Sequence, residues 1–397
     1  MKISQMQAIP VLAPDAPLRN SWGVHEPYFT RVVLKLTTDD GLIGWGEVSG
    51  GAAMVRQFEA AAKHVVGQSP YSFEPIRLAL RGNNPVFSAV EVACLDIIGK
   101  ATGQRMVDLL GGQVRATVPY ASYLFYKYAD TEHTDGIFPQ EVLTPEAMVE
   151  EAAYFHERWG FTTHKVKGGV LSPDDEVRTM LLLRERFPTH QLRIDPNAVW
   201  SVETSVRVAY KLRDIDLEYL EDPTDGITGM AAVAKRTHIP LSTNMCVTRF
   251  SHIPDAVRAD AVQVILGDHH GWGGVRAFVD LGRFCHTFAL GLSQHSNNHL
   301  CISMAAMTAV GATIPNLLYA SDTHYPWNTE DIIKGEMMTF KDGCQEVPSG
   351  PGLGVEIDED RLMTLHEKFR SQSVLARDDV SEMRKRVPFW LPMNPRF

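Results

Sequence analysis

The sequence lacks the features by which proteins bind nucleic acids or span membranes. Its 38 lysines and arginines stand against 48 aspartates and glutamates, a formal charge of −10, whereas nucleic acids and anionic membrane surfaces attract basic patches. The longest largely apolar stretch, residues 301–314, is interrupted by Ser303, Thr308 and Gly311. It is shorter than the roughly 20 residues of a membrane-spanning helix. We therefore expect a globular protein that binds neither nucleic acid nor membranes.

Cysteine is scarce, and common cofactor motifs are missing. The five cysteines are widely spaced and form no CxxC pair, which argues against a disulfide framework and a cysteine-rich zinc site. No secretory signal is visible before Pro10 and Pro14. No GxGxxG, P-loop or GxSxG motif occurs at a strand-to-helix turn. These absences predict a cytoplasmic protein with reduced thiols.

The first 115 residues have the pattern of an α+β module. Two β-rich runs within residues 29–48 flank Asp39-Asp40-Gly41, which is a hairpin signal. Apolar residues at helical spacing follow at 54–66 and again at 90–98. Strands followed by helices on one sheet predict a separate domain over 1–115.

Strand and helix patterns then alternate through residues 116–328. The strand-like runs are Val118–Leu124, Thr163–Lys167, Leu192–Asp195, Glu218–Glu221, Leu241–Asn244, Val262–Leu266, Ala289–Gln294 and Leu317–Ser321. Helix signals lie between most of them; for example, Ser172-Pro173-Asp174-Asp175 combines a cap, a proline and acids in a first turn. Eight strands alternating with helices predict an α/β fold with a parallel barrel. Residues 329–397 return to hairpin character around Lys341-Asp342-Gly343, and we expect them to close back on the N-terminal module.

Polar residues end successive predicted strands at intervals of 23 to 28 residues. They are Lys167, Asp195, Glu221, Asn244, Asp268, His295 and Asp322. Polar residues often cap single strands, but so many in register indicate one site. In parallel barrels the carboxyl ends of the strands carry the active site. We therefore expect these side chains to converge on one cavity.

Three members of this set are candidate metal ligands. Asp195, Glu221 and Asn244 offer only oxygen donors, which select Mg²⁺, with Mn²⁺ a close second, over zinc. The alternative is a belt of salt bridges and hydrogen bonds at the barrel rim. A zinc site is not expected, although His269, His270, His295 and His299 stand close in sequence, because adjacent side chains point to opposite faces of an extended chain.

Two further pairs are candidates for proton transfer. Lys165 and Lys167 lie on the same face of a strand, and their mutual repulsion would lower at least one pKa and create a base usable near neutrality. Asp268 and His295 end neighbouring strands, so the aspartate could orient the imidazole. The alternatives are an exposed strand edge, which often carries lysines, and a structural Asp–His pair.

The residues that carry this chemistry stand in short motifs, and further motifs lie outside the barrel. The motifs are Lys165-Val166-Lys167, Asp195-Pro196-Asn197, Glu221-Asp222-Pro223, Thr243-Asn244-Met245, Asp268, His295-Ser296-Asn297-Asn298-His299, the run 25–31, Asp322-Thr323-His324 and the run 351–358. Over nearly the whole chain they resemble the enolase superfamily, specifically its glucarate dehydratase subgroup. An asparagine as third ligand together with HSNNH separates that subgroup from mandelate racemase and muconate lactonizing relatives.

The resemblance implies a fold and a set of residue roles. The fold is a modified TIM barrel, (β/α)₇β, under an N-terminal α+β capping domain. Lys167 and His295 would be bases on opposite faces of the substrate, with Asp268 paired to His295. Lys165 would neutralise the substrate carboxylate and help depress the pKa of Lys167. Contacts to hydroxyls or to a distal carboxylate are implied for His25, Tyr123, Asn197, Asn297, His324, Asp322 and Arg396.

The resemblance also implies a function. The leading hypothesis is Mg²⁺-dependent dehydration of a small acid sugar to a 2-keto-3-deoxy acid through an enediolate, by a homo-oligomer, with an aldarate such as D-glucarate as the first substrate to test. The alternatives are epimerisation or racemisation of a hydroxy acid, and a metal-binding relative without useful turnover. The chain departs from the subgroup in a short segment at 126–144 and in 81–85, which lacks the expected threonines, so the particular sugar stays open.

Overall fold

An antiparallel sheet begins the chain, which the computed structural model describes over residues 1–130, 137–372 and 377–397. The N-terminal strands are β1 (Ile3–Pro14), β2 (Arg19–Asn20), β3 (Gly23–Val24), β4 (Tyr28–Thr38) and β5 (Ile43–Ser49). The three long strands form a sheet in the order β1-β4-β5, and β2 pairs with β3. The turn between β4 and β5 falls at Asp39-Asp40-Gly41, which confirms the predicted hairpin.

Helices cover one face of this sheet. They are α1 (Ala52–Val65), α2 (Phe73–Ala79), α3 (Asn84–Thr102) and α4 (Met106–Leu109), and α1 and α3 fall on the two predicted helical patterns. Asn83 caps the start of α3, where its side chain accepts from the Val86 amide, and Gly103 caps the end in the left-handed region. It approaches β5 so closely that a Cβ on Gly44 or Gly46 would overlap the backbone of α3 at Ala93 or Ala89. Glycine is therefore required where β5 and α3 touch.

We expect Gly46→Ala to destabilise the protein by about 1–3 kcal/mol, because the added methyl group must push α3 away from the sheet. The midpoint of denaturant unfolding measures this change. The matched control is Gly271→Ala, where an added Cβ meets nothing within 4 Å. Equal destabilisation by the two substitutions would show that the β5–α3 approach does not set the cost.

The second part of the chain is a barrel of eight parallel strands. These are β6 (Thr117–Phe125), β7 (Thr163–Lys167), β8 (Gln191–Asp195), β9 (Tyr219–Glu221), β10 (Leu241–Thr243), β11 (Val264–Gly267), β12 (Gly291–Gln294) and β13 (Ser321–Thr323). Their spatial order runs from β12 down to β6 and then to β13. Side chains complete the ring between its two ends, where Gln294 Nε2 donates to Ser321 Oγ at 3.0 Å. The fold is thus α/β, a nearly closed barrel with a small antiparallel β module before it.

Helices surround the barrel. They are α5 (Pro145–Trp159), α6 (Pro173–Arg186), α7 (Val202–Lys211), α8 (Gly226–Ala234), α9 (Ile253–Ala259), α10 (His269–Trp272), α11 (Val275–Thr287) and α12 (Cys301–Thr313). The predicted cap of α6 is confirmed, because Ser172 Oγ accepts from the Asp175 amide at 3.2 Å. None of the helices in the described ranges combines the length and the apolar character needed to cross a lipid bilayer.

The predicted strand runs overlap the observed strands, but the last is displaced. Residues Leu317–Ser321 were expected to form it, whereas β13 spans Ser321–Thr323. Leu317 is buried in the main core, and the neighbouring Asn316 donates from Nδ2 to the Gly282 carbonyl at 2.9 Å. The apolar run therefore belongs to the connection that packs beneath the barrel after α12.

The C-terminal segment contacts both parts of the molecule. Its strand β14 (Cys344–Glu346) pairs antiparallel with β6, so the hairpin predicted around Asp342 adds to the barrel. The helices α13 (Glu359–Ser371) and α14 (Asp379–Arg386) follow. From α13, His366 Nδ1 lies 2.7 Å from the Pro10 carbonyl of β1. We retain 1–115, 116–328 and 329–397 as proposed domain boundaries.

Candidate active site

A cluster of buried charges fills the carboxyl ends of four barrel strands, β7, β8, β9 and β13. Because side chains alternate along β7, Lys165 and Lys167 both point into the barrel, as predicted. The Nζ of Lys165 donates to Glu221 Oε1 and to Asp322 Oδ2, each at 2.6 Å. The Nζ of Lys167 donates to Asp195 Oδ2 at 2.6 Å. All five side chains are buried, so their charges act on one another with little screening.

These contacts reverse the predicted effect on the lysine pKa values. Burial lowers the pKa of both ammonium groups, but the carboxylates outweigh it, Asp322 and Glu221 for Lys165 and Asp195 for Lys167. The pKa of each lysine is therefore held above its ordinary value. The prediction that Lys–Lys repulsion lowers a pKa is wrong for this arrangement, because three carboxylates surround the pair.

The loop after β8 places Asn197 against the same cluster. Its backbone amide and its Nδ2 both donate to Asp195 Oδ1, at 2.9 and 3.1 Å. Asn197 and Ala198 adopt the left-handed region, with φ of 52° and 59°. Such backbone is uncommon outside glycine and often marks functional sites. The loop thus turns back so that Asn197 holds one oxygen of Asp195.

The turn that carries Asn244 is held by a residue for which the sequence predicted no role. Asp222 Oδ2 accepts from the amides of Asn244 and Met245 at 2.8 and 3.2 Å, and Oδ1 accepts from the Thr243 hydroxyl. Asp222 directly follows the proposed ligand Glu221 and is buried. It therefore links the end of β9 to the residue that follows β10.

The oxygen atoms at these strand ends fit a hard divalent cation. Glu221 Oε2 and Asn244 Oδ1 are buried, and among the described residues nothing donates a hydrogen bond to either atom. Buried oxygens without a donor cost free energy, and Mg²⁺ is bound by such oxygens. Asp195, on the strand beside Glu221, supplies a third oxygen donor. The three residues could therefore hold Mg²⁺.

Asp268 lies where predicted but bonds a different histidine. It is the N-cap of α10, and its Oδ1 accepts from the His270 amide and lies 2.8 Å from His270 Nδ1. Within the described part of the chain, no hydrogen bond joins Asp268 to His295. Asp268 therefore caps its own helix and binds His270, whereas it was expected to orient His295.

His295 directly follows β12, and its own amide donates to the Gly267 carbonyl at 2.8 Å. Burial and the neighbouring charge of Lys165 lower the pKa of His295 to about 4. Its imidazole is consequently neutral near pH 7 and can accept a proton.

The adjacent histidines of α10 do not point apart as expected. His269 and His270 lie in a helical turn rather than in an extended chain, with ring centroids 3.9 Å apart. Together with Asp268 they place ligand atoms within 4.8 Å of one another. Both ring nitrogens of His270 are engaged, however, Nδ1 by Asp268 and Nε2 by Ser303 Oγ at 3.1 Å. This favours a structural role.

Asn297 is oriented from the N-terminal module. Arg31 of β4 donates from Nη1 to Asn297 Oδ1 at 2.9 Å, which leaves the amide nitrogen for the opposite side. The guanidinium also donates from Nε to Glu47 Oε1 at 2.6 Å. Glu47 in turn accepts from the amides of Leu300 and Ser303, at 2.9 and 2.8 Å, and so caps α12. The buried Arg31–Glu47 ion pair of the N-terminal module therefore fixes the loop between β12 and α12.

A cavity of about 190 Å³ lies over the cluster and collects most of the predicted residues. The predicted residues that line it are His25, Tyr123, Lys167, Asn197, Asn244, His295, Asn297 and His324. Four other predicted residues lie in the buried cluster at the strand ends: Asp195, Glu221, Lys165 and Asp322. Asp268 lies outside the cavity lining, at the start of α10. Arg396 does not line the cavity: it donates to the carbonyls of Ser21 and Gly169, at 2.6 and 3.1 Å.

Sequence reasoning missed several cavity residues. They are Asn20, Trp22, Phe125, Met245, Ser296, Asn298 and Arg377. The motif HSNNH contains two of them, and Met245 follows a predicted ligand, so neighbouring motifs could have indicated these three. Arg377 stands in no motif. Of the short segment 126–144, residues 131–136 lie outside the described residues.

Two family models match the chain. The model described as "Mandelate racemase / muconate lactonizing enzyme, N-terminal domain" matches residues 8–111, and "Enolase C-terminal domain-like" matches residues 147–361. Together they span the N-terminal module and most of the barrel.

Individual relatives are similar over the whole length. A probable glucarate dehydratase of Streptomyces coelicolor is 43% identical, covering 100% of this chain and 99% of the relative. An enolase from Thermobispora bispora, solved with magnesium and formate, has a TM-score of 0.96 and 41% identity, covering 100% of this chain and 100% of that one. An enolase from Mycobacterium smegmatis, solved with tartrate, has a TM-score of 0.95 and 45% identity, covering 100% of this chain and 98% of that one.

Proposed function

The chain belongs to the enolase superfamily, and on that premise we propose that it is a Mg²⁺-dependent acid-sugar dehydratase. The observation that carries the proposal is that Lys167 and His295 line the same cavity as Asn244, one of the three residues suited to the metal. The similarity to a probable glucarate dehydratase supports the reaction type, and the magnesium in a related structure supports the ion.

The chain's own residues account for proton transfer and for binding. His295, neutral near pH 7, removes the α-proton from one face of the substrate, and Lys167 serves the opposite face. Lys165 places a positive charge between Glu221 and Asp322, in the buried cluster beside the cavity, and this charge is proposed to favour binding of the substrate carboxylate. Asp195, Glu221 and Asn244 would hold a divalent cation, whose positive charge would stabilise the negative charge that develops on the substrate carboxylate and would offset the charge with which Asp195 raises the pKa of Lys167.

Loss of the β-hydroxyl after proton abstraction, followed by tautomerisation, gives a 2-keto-3-deoxy acid. Since His295 begins the reaction as a neutral base, it holds a proton once the α-carbon is deprotonated and can pass it to the departing hydroxyl. Asn197, Tyr123, His25 and Asn297 line the cavity and are proposed to contact the substrate hydroxyls.

A screen of acid sugars with Mg²⁺ tests the proposal, with D-glucarate as the first aldarate and keto-acid formation as the readout. Turnover of at least one acid sugar to a 2-keto-3-deoxy acid is the expected result. Exchange of the α-proton in deuterium oxide without keto acid would identify an epimerase or racemase instead, which two opposed bases also permit. Binding of an aldarate with Mg²⁺ but without exchange would identify a non-catalytic relative.

We expect Asp222→Asn to weaken Mg²⁺ binding about 10- to 100-fold, because residues that orient metal ligands contribute on that scale. Asparagine keeps only one acceptor oxygen, so its NH₂ group must face either the Thr243 hydroxyl or the amides of Asn244 and Met245. Titration calorimetry with Mg²⁺ measures the dissociation constant. The control is Asp225→Asn, the same change at an exposed site three residues away. Unchanged affinity in Asp222→Asn would contradict the positioning role.

A further inference from the structure

A buried carboxylate holds the stretch of backbone that follows Lys167, residues 168–171, which we call the β7–α6 loop. The carboxylate belongs to Glu176, in the first turn of α6, and its side chain is buried. Its Oε2 accepts from the Gly169 amide at 3.0 Å, and its Oε1 accepts from the next two amides along the chain at 2.8 and 3.1 Å. Three successive N–H groups therefore converge on one carboxylate, as in the backbone concavities that bind anions.

The side chain of Glu176 is committed to this loop. All its hydrogen-bond partners among the described residues are the three backbone amides. Burial raises the pKa of the Glu176 carboxyl group to about 7, although the amides oppose the shift. Burying a carboxyl group where only backbone amides contact it costs free energy. The cost indicates that the conformation of the loop matters to the protein.

The β7–α6 loop fixes the backbone on which Lys167 stands. Lys167 is the last residue of β7, and the following amide, that of Gly168, donates to the last carbonyl of β8 at 2.9 Å. A Cβ on Gly169, whose φ is 72°, would lie 2.4 Å from the Pro196 carbonyl oxygen. The loop thus packs tightly against the turn after β8. Release of the amides from Glu176 would let the loop, and with it the end of β7, shift.

His295 stands on a part of the barrel that this loop does not reach. It follows β12, and the strand order places β6 and β13 between β12 and β7 on one side and β8 to β11 on the other. The His295 amide donates to the carbonyl of Gly267, on β11. A change at Glu176 should therefore move Lys167 and leave His295 in place.

We propose that Glu176 is a positioning residue for proton transfer by Lys167, because it holds the β7–α6 loop in the conformation that aims Lys167 at one face of the α-carbon. The inference rests on the proposed function, in which Lys167 and His295 serve opposite faces. Glu176 is not among the described residues that line the cavity, so it acts through the loop and not on the substrate. Displacement of a reacting group by about 1 Å can cost about 100-fold in rate.

The test measures exchange of the α-proton in deuterium oxide for both epimers of an acid sugar, at a pH about one unit above the pKa of Glu176. The epimer that Lys167→Ala no longer exchanges is the one on which Lys167 acts. We expect Glu176→Gln to slow exchange of that epimer by about 10- to 100-fold and to leave the other unchanged. Glutamine keeps the shape of the side chain but offers one acceptor oxygen to three N–H groups.

Hydrogen–deuterium exchange of the backbone, followed by mass spectrometry, reports the loop independently of catalysis. Peptides that contain residues 169–171 should lose protection in Glu176→Gln. The matched control is Glu185→Gln, the same change at an exposed position of the same helix, which should alter neither the protection nor either exchange rate. Glu176→Asp, which draws the carboxylate back by one methylene group, is a second variant with the same expected direction. The Tm of each variant reports that it folds.

Equal slowing of both epimers in the Glu176 variants would overturn the inference, because a general loss of structure does not distinguish the two bases. Unchanged protection of residues 169–171 would overturn it as well, and so would lost protection without slower exchange of the Lys167 epimer. A wild-type protein that exchanges neither epimer would instead contradict the proposed function, whereas the protection measurement would still show whether Glu176 holds the loop. The two failures are therefore distinguishable.

Discussion

Lys167→Ala should lose exchange of the α-proton with one epimer of an acid sugar, and His295→Asn should lose it with the other. Each base reaches only one face of the α-carbon, and loss of a positioned base costs about 10²- to 10⁴-fold in rate. Exchange in deuterium oxide, followed by proton NMR for both epimers, measures the effect separately from dehydration. The residual exchange with the unaffected epimer serves as an internal control for folding.

The interpretation requires that both variants still bind Mg²⁺. Neither residue is a proposed ligand, although Lys167 contacts Asp195, so titration calorimetry should accompany the exchange experiment. Equal loss with both epimers in both variants, with Mg²⁺ binding kept, would show that one of the residues acts electrostatically and that the assignment to two faces is wrong.

Exhaustive chelation should abolish turnover, and added Mg²⁺ should restore it. The reason is the all-oxygen set of Asp195, Glu221 and Asn244, in which two buried oxygens accept no hydrogen bond from the described residues. Zn²⁺ added in place of Mg²⁺ should restore less activity, because it prefers nitrogen and sulfur ligands. Activity that survives chelation would contradict the assignment.

The metal-free protein should nevertheless stay folded, because the ligands stand on preformed barrel strands. Ligand binding stabilises by mass action, about 2.7 kcal/mol at a hundredfold excess over the dissociation constant. Thermal unfolding with and without Mg²⁺ measures this difference. A chelated protein without a cooperative transition would show that the barrel depends on the metal.

Much of the fold and of the site follows from sequence, because strand and helix periods are local properties. The alternation after residue 116 predicted the barrel, and the positions of Lys167, Asp195 and His295 at strand ends predicted convergence. The strand at Leu317 was misplaced because an apolar run alone does not distinguish a strand from a buried connection.

The electrostatics of the site could not be predicted in the same way. Repulsion between Lys165 and Lys167 is visible in the sequence, whereas the contacts of Lys165 with Glu221 and Asp322 arise only when distant strands meet. Likewise, Asp268 was expected to pair with His295, but it caps α10 and contacts His270 instead. Arg377 was missed because its contacts join segments that are far apart in the chain.

The ion pair between Arg31 and Glu47 also limits how a ligand can reach the cavity. Swinging the whole N-terminal module away from the barrel would break the contact of Arg31 with Asn297 and would remove the carboxylate that caps α12. The ion pair itself would stay together within the module, but buried charged groups that lose their hydrogen-bond partners cost free energy, so this junction should stay closed throughout a catalytic cycle. Substrate entry and product exit must then depend on short segments at the cavity mouth, while the module and α12 behave as one rigid body.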